Sequence, residues 1–260
     1  LKVRLEQEVD AARRIEIIEQ ELCPPEPQLL DTCVLQNLDW VDRRIASEGS
    51  ITWDDEAVAD LTERYGGELA NDLIDLGILY KEFEDRSGYP WLVSRAAQGE
   101  ASLADGVKGM RLLSLLGFFR GHHDDWSDEV YPGIAKGLLF ARRRIRVSPL
   151  LLRGLGVTSM DEIHSATGPL SFLPDEGDRM VAAEALIANV PVFLTTDRRT
   201  FWKHRIELDA FGLAVMRPTE LLKLYEPYWQ ALDEEFMRRS AMAAMKSKDP
   251  TAGTCLRERG

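Results

Sequence analysis

A chain of 260 residues, 45% hydrophobic and 29% charged, is long enough to bury a large core and fits one domain with additions or two small ones. Its formal net charge of −12 excludes a protein that simply coats nucleic acid, because phosphate neutralisation needs a surplus of Lys and Arg. No apolar stretch approaches the roughly 20 residues of a membrane-spanning helix, so no membrane partner is expected. The opening LKVRLEQEVD lacks the apolar core of a signal peptide, and Cys23, Cys33 and Cys255 have neither zinc-knuckle nor redox spacing. The expectation is a cytoplasmic protein with reduced thiols.

In chain order, apolar residues at Val9, Ala12, Ile15 or Ile17, and Ile18 among Glu and Arg predict an amphipathic helix from about Val3 to Leu22. Pro24, Pro25 and Pro27 end it. Gln28 to Val34 reads as a short buried strand. Helical spacing follows at Leu38 to Ile45, Glu56 to Arg64 and Leu69 to Phe83. Within this region, Glu48 to Gly88 carries twelve acids against three bases. Trp91 to Val93 predicts a second strand, and helical material resumes through Leu116. His122, His123, Asp124 and Asp125 read as a polar loop, and Ile134 to Arg144 as a helix. A further helix begins at Asp175-Glu-Gly-Asp178, where acids oppose the dipole favourably, and runs to Asn189. Pro191 to Thr195 is a strand, Asp197 to Phe201 opens another helix, Ala214 to Met216 is the last strand, and Pro218 to about Ser247 is a long charged helix. Strands alternating with helices predict an α/β fold with a mostly parallel sheet. The domain is expected over 28–218, with an N-terminal helix over 1–27 and a helical extension over 219–260.

In open parallel sheets, ligands bind outside the carboxyl ends of the strands. Asp31 lies within or at the end of the first predicted strand, Glu100 after the second, and Asp197 two residues past Thr195; Asp178 starts the helix before that strand. Four such carboxylates drive one another toward protonation unless a cation joins them. An all-oxygen set favours Mg²⁺ or Mn²⁺ over zinc.

These blocks resemble a known family. Leu29-Leu-Asp-Thr-Cys-Val-Leu35 resembles the opening strand of PIN-domain nucleases. Asp178-Arg-Met-Val-Ala-Ala-Glu-Ala-Leu186 is similar to the family's helix in which an acid precedes an aliphatic-Ala-Ala core. Val192-Phe-Leu-Thr-Thr-Asp-Arg-Arg-Thr-Phe201 resembles its strand ending in Thr-x-Asp. Leu92-Val-Ser-Arg-Ala-Ala-Gln-Gly-Glu100 supplies the second acid, with Glu48, Glu68 and Glu84 as fallbacks. The matching blocks cover well under half of the chain, and the intervals between acids are longer than in minimal PIN toxins.

The resemblance implies a three-layer α/β/α PIN-like fold with helical insertions and extensions, and metal-dependent hydrolysis of RNA. Asp31, Glu100, Asp178 and Asp197 would hold one or two Mg²⁺ or Mn²⁺ ions; Thr195, Thr196, Arg198 and Arg199 would contact the substrate. It also allows for a toxin-like ribonuclease with an inhibitory protein partner, for a homo-oligomer, and for a PIN-like module that binds RNA or protein without cutting. Blander roles compete: Asp197 as a helix cap, Asp178 as a dipole-compensating acid, and Glu100 as an exposed helix residue. Arg142 to Arg146 reads as a solvated face, and the six tryptophans as core or rim. A haloacid-dehalogenase-like phosphatase would need an acid at Cys33, and a dinucleotide enzyme a glycine-rich first turn; neither is present.

Overall fold

A computed structural model describes residues 2–48, 53–86, 90–104, 106–124 and 149–247. The chain forms two compact units, one spanning Glu26–Leu222 and the other combining 1–25 with 223–260. The N-terminal helix and the C-terminal extension, separate in the sequence, therefore belong to one unit.

In the larger unit, four short strands form one all-parallel sheet: β1 (Gln28–Leu30), β2 (Trp91–Val93), β3 (Val192–Leu194) and β4 (Ala214–Met216), in the order β2-β1-β3-β4. The strands pair in register, with Leu29 beside both Leu92 and Phe193, and Phe193 beside Val215. Because side chains alternate across a sheet, these four residues share one face. That face is covered by α9 (Glu176–Ala188), whose Val181, Ala182, Ala185 and Leu186 join them in one buried cluster with Phe201, Leu208 and Leu213.

The opposite face carries Trp91, fully buried. It packs edge-on against Phe83 of α4 (Gly67–Arg86) at 5.3 Å and Phe119 of α6 (Gly106–Asp124) at 5.7 Å, and donates from Nε1 to Gln28 Oε1 at 2.7 Å. Helices on both faces make an α/β/α arrangement. Between β1 and β2 the chain also forms α2 (Thr32–Glu48) and α3 (Asp55–Tyr65). Between β2 and β3 it adds α5 (Arg95–Leu103) and the short α7 (Pro149–Gly154) and α8 (Met160–Ile163), and α10 (Arg205–Asp209) precedes β4.

Three sequence expectations are corrected. The first strand stops at Leu30 rather than Val34, because Asp31 turns the chain into α2: its carbonyl accepts from Val34 and Leu35 N–H at 3.0 and 3.1 Å. Residues 198–204 are turns, not a helix. His122, His123 and Asp124 belong to α6 rather than a loop. The helix expected at Ile134 to Arg144, the Arg142 to Arg146 cluster and Asp125 lie outside the described residues.

The smaller unit holds α1 (Lys2–Glu21) and the later residues of α11 (Pro218–Ser247). Its organising group is Glu235, 7% exposed, which accepts from Arg238 Nη2 at 2.7 Å, Arg239 Nε at 2.9 Å and Arg14 Nε at 3.1 Å, while Arg239 also reaches the Ala11 carbonyl. Hydrogen bonds from Arg238 and Arg239, and the charge of Arg14, pull Glu235 down to about 2. That value lies below the roughly 4.3 of an unfolded glutamate, so the stabilisation is complete above that pH and fades as pH falls toward 2. Glu235→Gln should therefore cost about 1.5–3 kcal/mol near neutral pH, the scale of hydrogen bonds to a charged group. Thermal unfolding of both proteins from about pH 7 to about pH 3 checks this: the gap in Tm should hold down to about pH 5 and narrow as pH falls below the unfolded value. A gap that is constant with pH would show that the carboxylate charge is not what holds the two helices.

Candidate functional site

The rung of the sheet just beyond the strands is polar throughout. Extending the register by one residue sets Ser94, Asp31, Thr195 and Arg217 in a row at the carboxyl edge. Asp31 N–H donates to the Leu194 carbonyl at 3.0 Å and Thr195 N–H to the Met216 carbonyl at 3.0 Å, so the ladder continues into this row. β1 and β3 are neighbours whose crossovers run to opposite sides, which makes their carboxyl ends the point where strand order reverses and ligands bind in open α/β sheets.

At that point Asp31, 8% exposed, accepts from the Thr195 hydroxyl at 2.6 Å and the Cys33 thiol at 3.0 Å. Thr195 Oγ1 in turn accepts from Asp197 N–H at 2.9 Å, so one hydroxyl ties the two acidic residues together. Burial raises Asp31 above the ordinary carboxylate range and the negative charge of Asp197 adds to this; hydrogen bonds from Cys33, Thr195 and the Thr32 N–H oppose it. Cys33 is also held protonated, by burial first and by the Asp31 charge second. Its Sγ accepts from Thr196 Oγ1 at 3.1 Å, and Asn37 Nδ2 donates to the same hydroxyl at 2.9 Å. Cys33 therefore acts as a donor to Asp31 and not as a thiolate ligand.

Asp197 caps its own turn. Its Oδ1 accepts from Arg199 N–H at 2.9 Å, and its Oδ2 from Thr200 N–H at 2.9 Å and from the Thr200 hydroxyl. A carboxylate has about four acceptor positions, so this capping leaves room for a further partner.

Asp178 sits in the first turn of α9, half-buried, with its N–H capped by Asp175 Oδ1 at 3.3 Å. Because α9 leads back into a parallel strand, its N-terminus lies toward the carboxyl edge of the sheet. Buried Arg179 fixes that end by donating to the carbonyls of His164, Leu173 and Pro174 at 2.8, 2.8 and 2.9 Å. Glu100 lies on α5, which follows β2 directly; its side chain is outside the described residues.

Arg198 pairs with Glu68, while Arg199 is exposed. Of the fallback acids, Glu84 pairs with Lys81 at 2.8 Å on the exposed face of α4. Glu48 closes α2, with its side chain outside the described residues.

Three residues of this region were not singled out in the sequence. Cys33 and Asn37 bond to residues some 160 positions away, so nothing local marks them. Glu184 of α9 is half-buried and accepts from Arg95 N–H at 2.8 Å and from Ala96 N–H, capping the start of the helix that carries Glu100. Burial raises it above its ordinary range. A lone acid following Val181-Ala182-Ala183 on a buried face was the available signal.

The structure thus joins Asp31 to Asp197 through Thr195, and Thr196 to Asp31 through Cys33. Among the described residues no group of three or more His, Cys, Asp or Glu stands ready to hold a metal ion. The donor chemistry present, a buried carboxylate beside a second one with the thiol protonated, suits a hard cation, whose charge would offset both the burial of Asp31 and its repulsion from Asp197. No helix among the described residues is long and apolar enough to cross a membrane. Comparison with known proteins found no matching family model, no matching characterised protein and no matching solved structure.

Proposed function

We propose that this chain is a PIN-like, metal-dependent endoribonuclease whose centre lies between the carboxyl ends of β1 and β3. The observation that carries this reading is Asp31: a carboxylate buried against its charge preference, at the switch point of a parallel sheet, joined through Thr195 to a second acidic residue. A purely structural role is poorly served by that arrangement, since the donors from Cys33, Thr195 and Thr32 oppose the burial and still leave the carboxyl raised.

In this reading Asp31 and Asp197 hold the cation, with Asp178 and Glu100 completing the set as substrate binds. A bound Mg²⁺ or Mn²⁺ lowers the pKa of a coordinated water and neutralises charge developing on phosphorus. The protein positions the parts. Thr195 fixes the orientation of the Asp31 carboxylate, Cys33 holds its second contact, and the Asn37–Thr196 bond braces the start of α2 against the end of β3. Asp197, locked by its own turn, presents Arg198 and Arg199 to the strand being cut.

A second reading is favoured by one observation, the capping role that already engages both oxygens of Asp197. Under it the domain keeps the PIN-like frame and binds RNA or protein without cutting. Incubation of labelled single-stranded RNA with the protein in Mg²⁺, in Mn²⁺ and in EDTA separates the two. Cleavage that needs the metal supports the nuclease; intact RNA with a well-folded protein, across several sequences and both ions, moves the assignment to the binding module.

A further inference from the structure

Glu68 is one of the acids the sequence offers as a metal ligand, yet in the structure it turns to the residue after Asp197. Its carboxylate pairs with Arg198. Its position is set from behind: Arg217, in the polar row at the carboxyl edge, donates from Nη2 to the Glu68 carbonyl at 3.1 Å and from Nε to Asp72 at 2.8 Å, one turn further along α4. Asp72 is fully buried and also accepts from the Thr219 hydroxyl at 3.0 Å. The first turn of α4 is therefore anchored to the end of β4 by a buried ion pair, while the Glu68–Arg198 pair in front of it stays wet, with side chains 66% and 41% exposed. An anchored backbone bearing a weakly held exposed pair differs from a structural salt bridge, because exposed pairs contribute little and exchange partners readily.

We infer that Glu68 is a competitor for Arg198: it occupies the guanidinium in the free protein and gives it up to a phosphate of the RNA strand on binding. This rests on the reading of the site as an RNA-binding centre and adds a residue that sets affinity without touching the reacting atoms. A phosphodiester and a carboxylate offer the same two-oxygen face to a guanidinium. Each binding event then has to break the pair, and the like charge of Glu68 remains beside the incoming strand. The competitor lowers affinity for every strand that takes Arg198, by the cost of breaking the pair.

The test is the affinity of a fluorescein-labelled single-stranded RNA of mixed sequence, measured by anisotropy in Ca²⁺ across a range of salt, with cleavage in Mn²⁺ followed separately. The proteins are wild type, Glu68→Gln, Arg198→Gln, the double variant, and Asp60→Asn. Asp60→Asn removes an equal charge from an exposed pair with Arg64 on α3. Glu68→Gln should tighten binding by about two- to five-fold relative to Asp60→Asn, the range of an exposed pair. Arg198→Gln should weaken it and reduce the slope of log K against log salt by about 0.7, the value for one single-strand phosphate contact. In the Arg198→Gln background, Glu68→Gln should do no more than Asp60→Asn.

Equal effects of Glu68→Gln and Asp60→Asn in the wild-type background would overturn the competition and leave RNA binding standing. Loss of cleavage in Glu68→Gln with binding retained would also overturn it and make Glu68 an acid of the centre. Absence of RNA binding by every protein would remove both the competitor and the RNA-binding reading.

Discussion

Asp31→Asn is expected to lose metal-dependent RNA cleavage by at least about 10²-fold, the scale on which removing one preorganised electrostatic group acts, while making the metal-free protein harder to unfold. The two effects have one origin. In the folded chain Asp31 is buried and faces the charge of Asp197, and burial is the larger reason that its carboxyl is raised above the ordinary range. A raised carboxyl contributes its full stabilisation below the unfolded value of roughly 3.9 and loses it as pH climbs through the folded value. At neutral pH the ionised form therefore costs stability, and the amide removes that cost. A gain of about 1 kcal/mol would raise Tm by about 2–4 °C in a unit of this size. Cleavage rates, together with melting in EDTA, check both halves. A variant that is less active and also less stable would mark Asp31 as a structural cap of α2 rather than a group kept for function.

The largest loss of stability is expected at Arg217. Its guanidinium is the ionic partner of Asp72, whose side chain is fully buried, and it also satisfies the Glu68 carbonyl. Arg217→Met leaves Asp72 with the Thr219 hydroxyl as the remaining side-chain donor shown in contact with it. Breaking one side of a buried pair costs about 3–5 kcal/mol, because the other charge stays desolvated. Urea unfolding should show a loss of that size in the unfolding free energy, read from the fall in midpoint at unchanged m. Replacing both partners, Asp72→Leu with Arg217→Met, should recover most of the loss, since the penalty comes from the stranded charge more than from the lost pair. If the double variant is as unstable as the single one, the geometry at the end of β4, and not the buried charge, is what Arg217 supplies.

How far the sequence spoke for this fold depends on the range of the forces involved. Trp91–Val93 and Ala214–Met216 were legible because short apolar runs flanked by polar or turn residues have few other solutions, and α9 because its acids, its capping Asp175 and its apolar face agree. The end of β1 was misplaced because Thr32-Cys33-Val34 suits a strand, whereas Asp31 starts a helix by accepting its first N–H groups. The helix expected after Asp197 is replaced by turns up to His204, although that side chain binds the N–H groups of Arg199 and Thr200 as an N-cap does. The short α7 and α8 left no periodic signal, having six and four residues.

At the site, Asp31 and Asp197 could be read as edge residues, and their coupling through Thr195 follows from strand register. The contributions of Cys33, Asn37, Glu184 and Glu68 depend on contacts between distant segments. Spacing along the chain does not encode such contacts. Asp72 shows the same limit: within an acidic stretch it reads as one solvated charge among many, yet its helix position and Arg217 bury it completely.

On the proposed reading, the carboxyl ends of β1 and β3 form a cation site built on Asp31 and Asp197. Calorimetric titration of metal-free protein with Mn²⁺, in wild type, Asp31→Asn and Asp197→Asn, tests it without reference to any substrate. Saturable binding in the wild type that is lost in Asp31→Asn and weakened in Asp197→Asn is the predicted result. Binding unchanged by either substitution, or no binding by the folded wild type, would contradict it.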